Sequence, residues 1–370
     1  MDLPSSKEAP GSRISDTLEG EAVDAQPTWS CPPCRVDRPA SLPAEGQVFH
    51  LFVGKGGVGK TTLACATALR LAQSRPHKQV LLISTDPAHS VSDCLGRWVG
   101  PHPSAVCPGL AALEVNAEAE FERLRDQYAE EVAALFGSVR GKTIIELGYD
   151  REALDHLLDL APPGLDEVMA LTRIVTLLEG GKYDTFVIDT APTGHLIRLL
   201  QLPAQIHGWL RTFFGLMLKY KNLLRIPKVC EMIVTLSKRL KVLESLLADP
   251  SKGQLYAVSI MTEMAFAETT DLVAACRKAG MRFATLFLNM ATPSDSCPLC
   301  DVLAQREQKV RDRFAAAFAD IHQSTVYRWV EPRGLERLTA LGQALYLEEA
   351  FVGVLPQGSF SPIGRQAGQP

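Results

Sequence analysis

A strand, a glycine-rich loop and a helix follow one another without a break between residues 48 and 72. The apolar run VFHLFV occupies Val48–Val53, the loop GKGGVGKTT occupies Gly54–Thr62, and LACATALRLA at Leu63–Ala72 predicts a helix. Such a loop directs successive backbone N–H groups at a polyphosphate, and the positive end of the following helix adds to the attraction. We therefore expect Lys60 to reach the β- and γ-phosphates and Thr61 to bind Mg²⁺.

Length and composition limit the class of protein. The chain has 370 residues, of which 46% are hydrophobic and 22% charged, enough for a large core in one or two domains. It has no uncharged apolar run of membrane-spanning length and no apolar export signal at its start, so we expect a cytoplasmic protein without a membrane span. The formal charge of −4 argues against nucleic acid as a partner.

Two further predicted strands end in aspartate. The run Gln79–Ser84 leads to Asp86 in the motif DPAHS, and Thr185–Ile188 leads to Asp189 in the motif DTAPTGH. In a parallel sheet the carboxyl ends of the strands form the edge where ligands bind. We therefore expect Asp86 to orient an attacking water and Asp189 to bind Mg²⁺.

The motifs KGGVGKTT, DPAHS and DTAPTGH together resemble those of the ArsA/Get family, which contains arsenite-pump ATPases and tail-anchored-protein targeting ATPases. ParA and MinD proteins share the loop but are not expected to carry the other two motifs. The resemblance covers about residues 47–350 and implies Mg²⁺-dependent ATP hydrolysis. It also assigns the catalytic role to Asp86 and the two switch regions to residues 86–93 and 189–198.

A second lysine within the loop, Lys55, marks the deviant phosphate loop of dimeric ATPases. The resemblance implies that Lys55 crosses the interface of a homodimer and stabilises transition-state charge at the partner's nucleotide. A solvated loop lysine is the alternative interpretation.

Further nucleotide contacts are implied by the same resemblance. Glu263 and Asn289 each follow or end a predicted strand, and Asn289 is the adenine-reading amide, since an amide both donates and accepts. Glu331 and Pro332 belong to a loop like the closing adenine loop of bacterial ArsA-type chains. The full set of predicted nucleotide-binding residues is Gly54, Lys55, Gly56, Gly57, Val58, Gly59, Lys60, Thr61, Thr62, Asp189, Glu263, Asn289, Glu331 and Pro332.

Cys297 and Cys300 form a CPLC pair that can chelate one metal ion. A structural Zn²⁺ site wants four ligands, so one chain supplies half of it and a symmetric dimer supplies the whole. The resemblance implies the same dimer-bridging zinc; a redox-active pair, an iron–sulfur cluster and idle thiols are the alternatives. Cys31 and Cys34 form a second pair, for which we expect no function or adventitious metal.

The single cysteines are interpreted as small buried hydrophobic residues. They are Cys65, Cys94, Cys107, Cys230 and Cys276. They do not match the three-cysteine pattern of arsenite-activated pumps, and the chain has one ATPase half where those pumps have two.

The order of predicted elements favours an α/β fold with a doubly wound, mostly parallel sheet, which the resemblance makes a P-loop NTPase of the SIMIBI type. We expect an ATPase domain at residues 47–352 with a helical insertion at about 117–182 and 196–250. The composition predicts disordered tails at residues 1–46 and 353–370.

The helical insertion is where the output of the ATPase is expected. Its second segment interleaves apolar and basic residues, which fits a groove for a hydrophobic helix client, a surface that docks on a membrane or acidic partner, or helices that pack on one another. The corresponding functions are an energising subunit of an arsenite or anion pump in the membrane, or a membrane-protein targeting factor. A zinc- or redox-regulated holdase without obligatory ATP turnover is the alternative.

Overall fold

The computed structural model describes residues 34–86, 90–116, 119, 173–190, 227–294 and 297–347. Several predicted segments lie outside these ranges: most of the helical insertion, residues 1–33 of the N-terminal tail, the whole C-terminal tail, and parts of both switch regions. Among the described residues of the insertion, 173–179 and 227–248 are helical, in agreement with the pattern.

The elements are numbered in chain order. The strands are β1 (Val36–Asp37), β2 (Ala40–Ser41), β3 (Phe49–Gly54), β4 (Val80–Ser84), β5 (Ser104–Cys107), β6 (Leu110–Glu114), β7 (Thr185–Asp189), β8 (Gly253–Ile260), β9 (Phe283–Ala291), β10 (His322–Tyr327) and β11 (Tyr346–Leu347). The helices with both ends described are α1 (Lys60–Ser74), α2 (Ser90–Leu95), α3 (Pro227–Ala248), α4 (Glu263–Lys278), α5 (Pro298–Ala317) and α6 (Leu335–Leu345).

Nine strands form one sheet in the order β1-β10-β9-β8-β3-β7-β4-β6-β5. The pairs from β10 to β6 are parallel, and β1 and β5 are antiparallel strands at the two edges. This confirms the predicted mostly parallel α/β fold. The carboxyl ends of β3, β4 and β7 consequently meet at one edge, next to the start of α1.

The central strands are buried on both faces, which explains their nearly continuous apolar sequences. Successive residues of β3 alternate between the two faces: Phe52 packs with α1 and α6, whereas Leu51 and Val53 face a cluster that includes residues of α3 and α4. Close packing of α6 on α1 depends on Gly342, where a Cβ would lie 2.5 Å from the carbonyl oxygen of Ala66.

Two short strands lie within residues 34–46, the described part of the segment that was predicted to be a disordered N-terminal tail. β1 pairs antiparallel with β10, and the short β2 pairs with β11. Asp37 accepts the Tyr327 hydroxyl at 2.7 Å, and the Arg35 guanidinium lies 4.2 Å from the centre of the same ring. Two-residue strands are too short to show an alternation of apolar and polar residues. Their partner strands lie about 300 residues further along the chain, so local sequence could not indicate them.

Within the described residues, no helix has both the length and the apolar character that a membrane crossing requires.

Candidate functional site

A cleft of about 510 Å³ opens at the carboxyl edge of the sheet. Its position, beside the ends of β3 and β4, is the one expected for a ligand site in a parallel sheet. The cleft is lined by Gly56, Gly57, Gly59, Lys60, Thr61, Thr62, Asp86, Ser90, Asp93, Cys94, Met290, Glu331, Pro332 and Arg333. The glycine loop, Asp86 and the 331–333 segment, which were predicted separately, therefore lie around one cavity.

The loop turns into α1 through Gly59, whose φ of 91° is in the left-handed region. A Cβ at this position would lie 2.3 Å from the amide nitrogen of Asn289, so glycine is required on both grounds. Lys60 follows as the first residue of α1 and donates from its ammonium to the carbonyl of Lys55 at 2.9 Å. Burial lowers the pKa of Lys60, while the nearby Asp189 and Asp86 oppose that shift.

Thr61 and Asp189 are brought together from α1 and the end of β7. The Thr61 hydroxyl donates to Asp189 Oδ2 at 2.7 Å and lies 3.1 Å from the Ser90 hydroxyl. The Ser84 hydroxyl also donates to Asp189 Oδ2, at 3.3 Å. This cluster joins β4, β7, α1 and α2 below the cleft.

The Asp189 carboxylate fits a cation site. It is fully buried, and its other oxygen, Oδ1, has no hydrogen-bond partner among the described residues. Burial raises the pKa of Asp189 to about 6, although hydrogen bonding by Thr61 and the charge of Lys60 lower it. A divalent cation would satisfy Oδ1 and stabilise the ionised form, and hard oxygen ligands of this kind suit Mg²⁺.

Asp86 lies two residues beyond β4 and lines the cleft. Its backbone N–H donates to the Ser84 hydroxyl at 3.1 Å, so one serine side chain contacts both predicted aspartate elements. Residues 87–89 and 191–198 of the predicted switches lie outside the described ranges.

Six of the predicted nucleotide contacts are not among the residues that line the cleft: Gly54, Lys55, Val58, Asp189, Glu263 and Asn289. Glu263 begins α4 and pairs there with Arg313 of α5. Asn289 donates its amide to the Val58 carbonyl of the glycine loop at 2.8 Å, and its neighbour Met290 lines the cleft instead. In this structure Asn289 braces the loop, and its contact with adenine stays a prediction.

Lys55 is held within its own chain. Its ammonium lies 2.8 Å from Glu268 Oε1 and 2.7 Å from the sulfur of Met264, both on α4. Sequence reasoning missed both partners, because they lie more than 200 residues away in the chain.

Cys297 and Cys300 lie at the start of α5, where Cys297 is exposed. Backbone and side-chain hydrogen bonds from Cys300 lower the pKa of the Cys297 thiol. No group of three or more His, Cys, Asp or Glu residues that could hold a metal occurs in the described part of the chain. Within the described residues the pair therefore supplies two of the four ligands that a structural zinc site needs.

Two cysteines that were interpreted singly are neighbours. Cys65 of α1 and Cys94 of α2 share a hydrogen bond that helps raise the pKa of the buried Cys65 thiol and lower that of Cys94. Cys94 also lines the cleft. Since the two residues are separated in sequence and carried by different helices, nothing in their spacing indicates the contact.

Comparisons with known proteins agree with these features. A family model described as anion-transporting ATPase matches residues 47–347. The chain is 30% identical over 321 residues to the ATPase GET3 of Zygosaccharomyces rouxii, covering 80% of this chain and 90% of that protein. It is 31% identical over 294 residues to the ATPase GET3B of Arabidopsis thaliana, covering 71% and 69% of the two chains. It is 28% identical over 291 residues to the ATPase ASNA1 homolog 1 of Paramecium tetraurelia, covering 74% and 84%. The chain therefore belongs to the ArsA family of anion-transporting ATPases and is an ATPase.

Proposed function

We propose that the chain hydrolyses ATP with Mg²⁺ as a homodimer and couples nucleotide state to a partner of its helical insertion. The observation that carries the first part is the 2.7 Å contact between Thr61 and Asp189 beneath the cleft, with one buried Asp189 oxygen left for a cation. When bound, Mg²⁺ supplies charge neutralisation on the phosphates.

The residues around the cleft have separable roles in this proposal. The loop N–H groups and Lys60 bind the phosphates, Thr61 and Asp189 hold the cation, and Asp86 orients the attacking water. The 331–333 segment also lines the cleft and would contact the base.

The dimer is supported by two features at the chain surface. Lys55 occupies the loop position at which the family resemblance implies action on the partner's nucleotide, and Cys297 and Cys300 supply half of a four-thiolate zinc site. A two-fold axis beside α5 would unite the two halves of that site.

The output of hydrolysis is proposed to be control of a hydrophobic helix client, in the cytoplasm. The names GET3 and ASNA1 of the relatives favour the targeting branch of the family over arsenite pumping. A pump-energising role predicts stimulation by arsenite instead.

One titration separates these outputs. We expect the Mg²⁺-dependent ATPase rate, and nucleotide-dependent binding, to respond to a transmembrane-helix peptide and not to arsenite. The control is a polar peptide of equal length. Stimulation by arsenite alone would assign the pump role, and no ATP hydrolysis with Mg²⁺ present would refute the proposal as a whole.

A further inference from the structure

Glu114, the last residue of β6, has a buried carboxylate that bonds to the first turn of α2. Its Oε1 accepts the backbone N–H groups of Val91 at 3.0 Å and Ser92 at 2.9 Å, and Oε2 accepts the Ser92 hydroxyl at 3.1 Å. The first N–H groups of a helix have no partners within the helix, so this carboxylate supplies them from outside. A buried carboxylate is stable when it is hydrogen-bonded in this way.

The helix that Glu114 bonds to contacts two other segments of the cleft region, one at each of its ends. Its first residue, Ser90, lies 3.1 Å from the Thr61 hydroxyl, and Ser90, Asp93 and Cys94 of α2 line the cleft. At its other end, the carbonyl of Cys94 accepts the backbone N–H of Gly334 at 2.9 Å, which joins α2 to the segment after Pro332. Movement of α2 would therefore affect both Thr61 and the segment before Gly334.

The backbone of Glu114 is fixed independently of α2. Glu114 pairs with Ser84 in the parallel register of β6 and β4, and the following Val115 N–H donates to the Ser84 carbonyl at 2.8 Å. Loss of the Glu114 side chain would thus remove its bonds to the first turn of α2 while leaving the sheet in place.

We propose that Glu114 is a positioning residue of the ATPase site, which fixes α2 so that Ser90 keeps its contact with Thr61 at the end of the phosphate loop. The proposal rests on the proposed function, because it concerns the rate of hydrolysis at that site. Glu114 acts through α2 and is not required to touch the nucleotide.

The test compares Glu114→Ala and Glu114→Gln with Asp184→Asn. Asp184 is a matched control because its carboxylate also accepts a backbone N–H, that of Gln79 at 2.8 Å, but at the amino edge of the sheet. We expect Glu114→Ala to lower kcat at least about tenfold with KM for ATP within about threefold. Glu114→Gln, which keeps an acceptor oxygen, should fall between Glu114→Ala and wild type, and Asp184→Asn should match wild type.

Amide hydrogen exchange in the absence of nucleotide measures directly whether the Glu114 carboxylate protects the first turn of α2. In Glu114→Ala the Val91 and Ser92 amides should exchange at least about tenfold faster, while the amides of β4 stay protected. Unchanged exchange at these two amides, or faster exchange with kcat unaltered, would overturn the proposal. If Glu114→Ala does not fold, the same two readouts on Glu114→Gln decide. Failure of the proposed function can be distinguished from failure of this inference. In the first case wild-type protein would not hydrolyse ATP, while the exchange experiment would still show whether Glu114 protects the amides of α2.

Discussion

The ammonium of Lys55 lies 2.8 Å from the Glu268 carboxylate of the same chain. Both side chains are about one-third exposed (34% and 39%), and ion pairs of such exposure contribute at most about 1 kcal/mol. This in-chain contact is therefore weak enough to be exchanged for a phosphate contact in the proposed dimer. It places Glu268 in competition with the site that Lys55 is proposed to serve.

Glu268→Gln should raise the ATPase rate at low protein concentration, by no more than about fivefold, because Lys55 is then released more easily. Asp320→Asn is the control. It weakens the 2.7 Å surface ion pair between Asp320 and Arg277, and Arg277 lies on the same helix as Glu268. Rates measured over a protein dilution series check this. A lower rate in Glu268→Gln than in Asp320→Asn would show that Glu268 supports the active position of Lys55.

Asp86→Asn should keep ATP binding within about threefold of wild type and lower turnover about a hundredfold or more. The reason is that the amide lacks the negative charge with which the Asp86 carboxylate is proposed to orient the attacking water. Equilibrium binding of a fluorescent ATP analogue and phosphate release measure the two effects. Asp184→Asn, which alters an aspartate that accepts the Gln79 N–H away from the cleft, is the control. Near-normal hydrolysis by Asp86→Asn would remove Asp86 from the reaction.

Asp189→Asn should stabilise the nucleotide-free protein and abolish Mg²⁺-dependent hydrolysis. The folded pKa of Asp189, about 6, is above the ordinary value of 3.8, so its ionisation destabilises the folded state as pH rises through 6. The difference in unfolding free energy between variant and wild type should vanish below pH 3.8 and reach at most about 3 kcal/mol above pH 6. Urea unfolding over a pH range that extends from below 3.8 to above 6 measures this difference. A variant less stable than wild type at pH 8 would contradict this account of the buried oxygen.

Replacing Cys297 and Cys300 by serine should remove bound zinc and weaken the dimer, because serine does not supply thiolate ligands. Metal analysis and light scattering on the purified protein check this, and we expect about one zinc per two chains in wild type. Cys276→Ala is the control, since Cys276 is buried in the core. Zinc retained in the double variant would place the metal elsewhere.

Much of the sheet and the cleft could be predicted from local sequence. The loop before α1 and the aspartates after β4 and at the end of β7 have fixed positions relative to their strands, and parallel topology brings such positions to one edge. Asp86 and Asp189 were therefore predictable without knowing how the chain folds in detail. The same reasoning predicts a mostly parallel sheet but not the order of its strands.

The contacts that sequence did not indicate are those between distant elements. In the sequence Glu114 is only a polar residue at the end of an apolar run. Neither its spacing from Val91 nor any motif indicates that it is a partner of α2. Glu268 is likewise one acidic residue of an amphipathic helix until the fold places it beside Lys55. Burial and hydrogen bonding, which give these residues their roles, are set by tertiary packing rather than by local pattern.

Coexpression of Lys55→Ala and Asp86→Asn chains with different tags, followed by purification on both tags, tests the central claim most directly. In such a heterodimer one site combines an intact Asp86 with the partner chain's intact Lys55, and the other site lacks both. We predict about half of the wild-type specific ATPase activity, against almost none for either variant alone. A heterodimer as inactive as its parents, or protein that never forms dimers with ATP and Mg²⁺, would contradict the account.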